Sequence, residues 1–290
     1  MRTLTVRTKS FLSGFLCCLA ISCADARADA RKDLEDSLRR VYEHKFLSLK
    51  TPYAADKLQF NSQGKVVGAA VPRPWSTCGM LQVEKLALAQ ERVEISGKRV
   101  ILALRSTKTG LGVIPLVTDR GIRIRIDLPA LPSDTPQVNQ TLSRVFDGVN
   151  LLQRVAAYWK PRVDLTSADP LEKMKVLLDR APNTIVAELE GGRPVYLVKP
   201  GVVDPPKVTY QPDPEYTESA RHKRLEGTTI ILVVVNEKGF PEILEITKGL
   251  DEGLDLRALT AVAGWIFKPA TRNGEPVAVL INVQVAFRLY

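Results

Sequence analysis

From Glu275 to Leu289 apolar residues recur at every second position: Val277, Val279, Ile281, Val283, Val285, Phe287 and Leu289. They alternate with Ala278, Leu280, Asn282, Gln284, Ala286 and Arg288. A period of two puts the two sets on opposite faces of an extended chain, so the spacing predicts one long, half-buried β-strand. Such a strand is not stable alone in water, and the residues before it must supply a sheet and a cover for its apolar face.

Those residues are present. Thr228 to Val235 contains the continuous apolar run Ile230–Val235, expected of a central strand covered on both sides. Asn236-Glu237-Lys238-Gly239 reads as a hairpin turn, and the returning strand, Phe240 to Thr247, contains Pro241. Proline has no N–H for the ladder, so this second strand is expected at an edge. Tyr216 to Leu225 is expected to be a helix. Asp255 to Trp265 is expected to be another, with Ala258, Leu259, Val262 and Ile266 on one stripe and Lys268-Pro269 at its end. Asn273-Gly274 then turns into the last strand. With the first strand central and the second at an edge, the last must lie on the first strand's other side. The expectation is a three-stranded antiparallel sheet of order 2-1-3, two helices on one face, and a final strand whose outer margin is open. An open margin presents unpaired N–H and C=O groups to which a partner can add a strand.

This order, together with Pro214-Glu215-Tyr216, Ala220-Arg221, Gly227, Gly239, Leu254-Asp255, Ala258, Trp265-Ile266-Phe267-Lys268-Pro269-Ala270, Asn273-Gly274 and Val285-Ala286-Phe287-Arg288-Leu289, resembles the TonB C-terminal domain over about residues 205–290. The resemblance implies a periplasmic domain that receives a short extended segment of an outer-membrane transporter on its last strand. It implies partner contacts at Pro214, Tyr216, Val277, Val279, Ile281, Val283 and Val285.

The amino terminus reads as an export signal. Arg2, Arg7 and Lys9 precede the apolar run Phe11–Ile21, and Ala26-Arg27-Ala28 offers a cleavage site, so residues 1–28 are expected to be a signal peptide. The competing reading is lipidation at Cys23, because Ala20-Ile21-Ser22-Cys23 resembles a lipobox. Cys78 stands alone outside this region, so no internal disulfide is expected in the exported chain.

Residues 29–165 read as an α+β domain: an amphipathic helix over Ala30–Lys45 (Leu34, Leu38, Val41 and Tyr42 on one side), then an antiparallel β-meander, then a second helix from Ser133 or Asp134. Within the meander, Trp75–Leu88 is expected as strand with a break at Gly79. Arg92–Ile95 and Arg99–Leu104 are expected as two strands joined by a Ser96-Gly97-Lys98 turn, and Gly121–Leu128 as a strand with Ile122, Ile124, Ile126 and Leu128 inward. The net charge is +9, and the excess sits in this half, where residues 29–166 hold 22 Lys and Arg against 14 Asp and Glu. Arg99, Arg105, Arg123 and Arg125 form a candidate basic surface for anionic envelope polymer or lipid, and a structural envelope protein that binds such material and self-associates as a homodimer is the alternative function. Nucleic acid is not an expected partner of an exported chain without an interleaved aromatic motif. Residues 166–206 read as a connector with a short helix at Leu171–Arg180, a hairpin flanking Glu190-Gly191-Gly192-Arg193, and a proline-rich end. No P-loop, HExxH or GxSxG occurs, and neither His44 nor His222 has a nucleophile beside it, so no enzymatic activity, cofactor or metal is expected.

Overall fold

In the computed structural model, which describes residues 13–107, 110–148, 154–155, 158–161 and 185–289, the chain is mixed α+β, with much sheet and few helices. Helix α1 (Ser13–Tyr42) lays Leu34 and Leu38 on a core made by β1 (Phe46–Leu49), β2 (Lys57–Phe60), β3 (Met80–Leu88), β4 (Arg92–Thr107), β5 (Gly110–Asp127) and α3 (Thr135–Val145), whose Val138, Leu142 and Val145 close it. Val41, expected on the same stripe, is 48% exposed, because α1 ends one residue later and His44 takes a left-handed turn at φ 62°. The α1 side chains also finish the β3 edge where β1 no longer reaches. Arg39 Nε donates to Leu86 O (3.1 Å) and Arg31 to Leu88 O (2.9 Å), while Leu86 N and Leu88 N donate to Glu43 and Glu35. An edge occupied in this way offers no template to another chain.

Further expectations in this half are corrected. The meander is not wholly antiparallel, since β2 pairs with β5 in parallel from Lys57↔Arg123 to Phe60↔Ile126. Trp75–Cys78 is a single helical turn (α2), not strand, because Cys78 N and Gly79 N bond back to Pro74 O and Trp75 O and all four side chains are buried. Ser96-Gly97-Lys98 is not a turn. Strand β4 continues through it, with register shifts against β3 and β5, and Gly97 is needed there because a Cβ would lie 2.0 Å from Gln82 O of the neighbouring strand. The glycine signals close approach of two backbones, a role that sequence alone does not distinguish from a turn. The Gly121–Leu128 strand lies within β5 with Ile122, Ile124, Ile126 and Leu128 buried, and α3 starts at an Asp134 cap whose side chain accepts from Gln137 N. The segment Leu171–Arg180 lies outside the described residues.

The C-terminal part contains β10 (Lys207–Tyr210), α4 (Glu218–His222), β11 (Gly227–Val235), β12 (Pro241–Lys248), α5 (Glu252–Ala263), β13 (Ile266–Lys268), β14 (Ala270–Arg272) and β15 (Glu275–Phe287). Strand β11 lies between β12 and β15, antiparallel to both. Its Ile231, Val233 and Val235 pack under α4 and α5. Leu232 and Val234 pack on the opposite face, against Trp75, Met80, Val100, Leu102, Tyr158 and a hairpin of β8 (Ile185–Leu189) and β9 (Arg193–Leu197).

Strand β12 is not an edge. It pairs in parallel with β4 at Leu244↔Ala103 and Glu245↔Leu104. Pro241 is tolerated because it opens the strand, three residues before β4 joins. The sheet is thus not three-stranded but runs on through both halves, in the order β6 (Phe146–Asp147), β1, β3, β4, β12, β11, β15, β9, β8, β7 (Trp159–Pro161). Helix α4 is one turn, not the full Tyr216–Leu225, and Ile266 belongs to β13. Gly264 ends α5, and β13 pairs with β10, so the chain leaves the helical stripe before Ile266.

The β8–β9 hairpin is fixed by apolar burial and by a polar lock. Val186, Leu189, Val195 and Leu197 are at most 8% exposed. Burial of four such side chains contributes roughly 6–12 kcal/mol, an upper bound, at about 1.5–3 kcal/mol each. At the lock, Arg193 Nη2 donates to both oxygens of Glu242 (3.2 and 3.1 Å) and Nη1 to Glu237 (2.8 Å), while Asn236 Nδ2 donates to Glu242 Oε1 (2.7 Å). Ser76 Oγ donates to the Glu242 carbonyl from the other half of the chain. Tyr158 is buried beside this carboxylate. Burial first, and Glu242 second, hold its phenol well above the ordinary value of 10.0. The folded protein therefore keeps a proton that the unfolded chain releases, so stability is intact below the unfolded value and falls as pH climbs from there toward the raised folded one. We expect the wild-type urea midpoint to fall above about pH 10 more steeply than that of Tyr158→Phe, measured by denaturation at stepped alkaline pH. Parallel curves for the two proteins would refute this.

Candidate functional site

Strand β15 pairs with β11 without interruption from Val279↔Val235 to Phe287↔Gly227. Its outer side is not uniformly open. At Ala278, Val279 and Leu280 it carries β9 in parallel, opposite Val195, Tyr196 and Leu197. Nearer its start, Glu275, Pro276 and Val277 form a tight hairpin with β14, turned by Asn273 and Gly274 at φ 53° and 85°. From Ile281 to Phe287, among the described residues, no strand pairs with the outer side. The fully open final margin is therefore corrected to a partly open one.

Burial follows the same division. Ala278, Val279 and Leu280 are buried on both faces, whereas Val283, Val285 and Phe287 are buried and Asn282, Gln284 and Ala286 exposed. The side-chain set that alternates with the valines changes from Ala278 and Leu280 to Asn282 and Gln284 where the hairpin cover stops. That change was visible in the sequence, and it marks the half-buried strand as the second part of the run only.

Of the residues expected at the partner site, Ile281, Val283 and Val285 lie on the open stretch. Val277 lies in the β14 hairpin and Val279 faces β9, so neither is on a free margin. Tyr216 stands at the far end, its ring edge-on to Phe287 at 5.4 Å and 83°, its hydroxyl donating to Leu225 O at 3.0 Å. Thr217 next to it caps α4 by accepting from Ala220 N (3.2 Å), which fixes the approach of the Pro214–Tyr216 segment. Asp213, Pro214, Tyr216, Ala286, Phe287 and Arg288 together line a hollow of about 420 Å³ beside the open margin. Leu289 N donates to Glu226 (2.7 Å), tying down the strand's exit. The resemblance pointed to Pro214 and Tyr216, and the structure puts both beside Phe287 on the lining of this hollow, a neighbour that the sequence gave no means of finding.

The basic surface is different from that expected. Arg99 is only 2% exposed. Its guanidinium donates to Cys78 O (3.0 Å), Tyr53 O (3.0 Å), Ala55 O and Asp56 (3.3 Å). The segment around Tyr53–Asp56 and the end of α2 fold over this face of β4, and their carbonyls need a donor away from water, which a guanidinium supplies. Arg99 therefore belongs to the interior and is not an anion contact. Arg123 and Arg125 are exposed, Arg125 in an ion pair with Glu94 at 3.2 Å. The side chains of Arg105 and Cys23 lie outside the described residues. Among the described residues no group of three or more His, Cys, Asp or Glu is placed to hold a metal ion, and no helix is long and apolar enough to cross a membrane.

Two helices over one face of an antiparallel sheet, with an unpaired stretch on its last strand, define the C-terminal part as an α+β unit with a free backbone margin. Residues 212–289 match the family model described as Gram-negative bacterial TonB protein C-terminal. Among curated proteins the chain is similar to Protein TonB of Vibrio cholerae, 34% identical over 94 residues, covering 31% of this chain and 38% of that one. It is also similar to Protein tonB2 of Pseudomonas aeruginosa, 33% identical over 81 residues, covering 28% and 30%. The chain thus spans well under half the length of these curated relatives, and the likeness to the TonB C-terminal domain belongs to the C-terminal part alone.

Removal of the Arg99 guanidinium would leave buried carbonyls unsatisfied. Arg99→Met is expected to lower stability by about 3 kcal/mol, and Arg99→Lys to recover only part of it, because an ammonium cannot span the same acceptors. Urea denaturation checks this, and a change below about 0.5 kcal/mol for Arg99→Met would refute it.

Proposed function

We propose that this chain acts in the periplasm as a non-enzymatic binding protein. Its C-terminal part takes up an extended segment of an outer-membrane transporter, or of another envelope protein, by strand addition along Ile281–Phe287. The observation that carries this reading is the unpaired margin itself, flanked by the Pro214–Tyr216 segment and its hollow, in a region matched by the TonB C-terminal family model. Backbone groups along Ile281–Phe287 supply affinity in such a mode, and side-chain pockets supply selectivity. The hollow, with Tyr216 and Phe287 as its apolar wall, suits an apolar guest side chain, and Asp213 and Arg288 on its lining suit polar neighbours. A role in transport across the outer membrane follows if the guest is a transporter. Export by cleavage after Ala28 or tethering at Cys23 both deliver the chain to that compartment.

The anionic-surface alternative finds less support, since Arg99 is interior and Arg125 is paired. The test uses the full exported chain, titrated by calorimetry with peptides from the periplasmic ends of outer-membrane transporters. A binding peptide is then remade with the same side chains but with alternate backbone nitrogens methylated, which removes ladder donors. Affinity is expected to fall at least about tenfold on methylation. Equal affinity of the two forms would show that recognition is not by strand addition, and no binding by any peptide would remove transporters from the proposal.

A further inference from the structure

The β8–β9 hairpin sets a limit on the guest. We propose that β9 is a fixed end stop on the β15 margin, so that an incoming strand is confined to Ile281–Phe287 and ends where Leu197 begins. This rests on the strand-addition reading above and adds what the chain's own middle segment does to it.

Three observations carry the inference. The hairpin takes Ala278, Val279 and Leu280 on the side opposite β11, so the same margin is divided between a resident strand and a vacancy. The chain then leaves the margin abruptly. After Leu197 it folds back over Lys199–Val203, with Val203 N bonded to Lys199 O at 2.9 Å and Gly201 at φ 78°. That fold is pinned by Val203, which is fully buried, and by Asp204, whose N donates to Thr271 O at 2.8 Å. A guest continuing past Ile281 toward the start of β15 would meet this turn and the end of β9.

The third observation is that the hairpin has little reason to yield. A guest displacing it would gain three ladder positions. It would expose Val186, Leu189, Val195 and Leu197 and strip Arg193 from the nearly buried Glu242. Apolar burial of a Val or Leu outweighs the net gain from one backbone hydrogen bond, and a buried carboxylate deprived of its partner is strongly unfavourable. The guest is therefore a short extended peptide of about seven residues, the length of the vacant stretch, with its apolar anchor at the Tyr216 and Phe287 end.

Two measurements on the full exported chain test this. In hydrogen exchange of the free protein, amides of Val195–Leu197 and Val279–Leu280 are expected to open only with those of Ile231–Val235, in one global event. Earlier opening of the hairpin as a separate unit would overturn the fixed stop. The second uses Val195→Cys with Ala278→Cys, the native cysteines replaced by alanine, which locks the hairpin on β15 when oxidised. Transporter-derived peptides that bind the reduced protein are expected to bind the oxidised one within about twofold, and to gain nothing when lengthened past seven residues toward β9. A loss of about tenfold on oxidation would overturn the stop while leaving strand addition intact, because the hairpin would then have to leave for binding. Absence of binding in both states, with the hairpin rigid in exchange, would instead overturn strand addition and the length limit together.

Discussion

The structure depends on burial of β11 from both faces. Ile231, Val233 and Val235 face α4 and α5, and Leu232 and Val234 face the other way, all at most 4% exposed. A strand apolar on both faces leaves each face in need of a cover. The helices that follow in sequence supply one. The second cover comes from elsewhere in the chain: Trp75 and Met80 from the first half, Tyr158, and the β8–β9 hairpin. The C-terminal part therefore does not end at its own three strands, and β4 and β9 continue the sheet on either side.

That second cover also decides the shape of the candidate site. By occupying Ala278–Leu280, the hairpin uses part of the margin that a bare three-stranded sheet would leave free. The part left over is the stretch where the opposite face changes to Asn282, Gln284 and Ala286. Backbone pairing and side-chain cover stop together because the same hairpin provides both. The Arg193–Glu242 lock places a charge pair at this junction, and its companions Asn236, Glu237 and Ser76 come from the β11–β12 turn and from α2.

Much of the local structure was legible. The last strand, the β11 run, the Asn273-Gly274 turn, the start of α3 near Ser133 or Asp134 and the inward row of β5 each rest on spacing between near neighbours, which the backbone expresses directly. Where reading failed, a distant segment had changed the meaning of a residue. Gly97 suggested a turn and instead admits the Gln82 carbonyl. Pro241 suggested an edge and instead starts a strand that β4 joins further along. Arg99 suggested a surface charge and instead satisfies carbonyls from Tyr53, Ala55 and Cys78.

The sequence by itself determined strands β11 and β12, the helix that follows them and the long last strand, β15. These follow from hydrophobic periodicity and turn chemistry, which act over a few residues. Only the tertiary structure decided how much of that strand is free. The answer depends on Val195 to Leu197 meeting Ala278 to Leu280 across more than eighty residues of chain, and no local pattern encodes which distant strand will take an unpaired backbone edge.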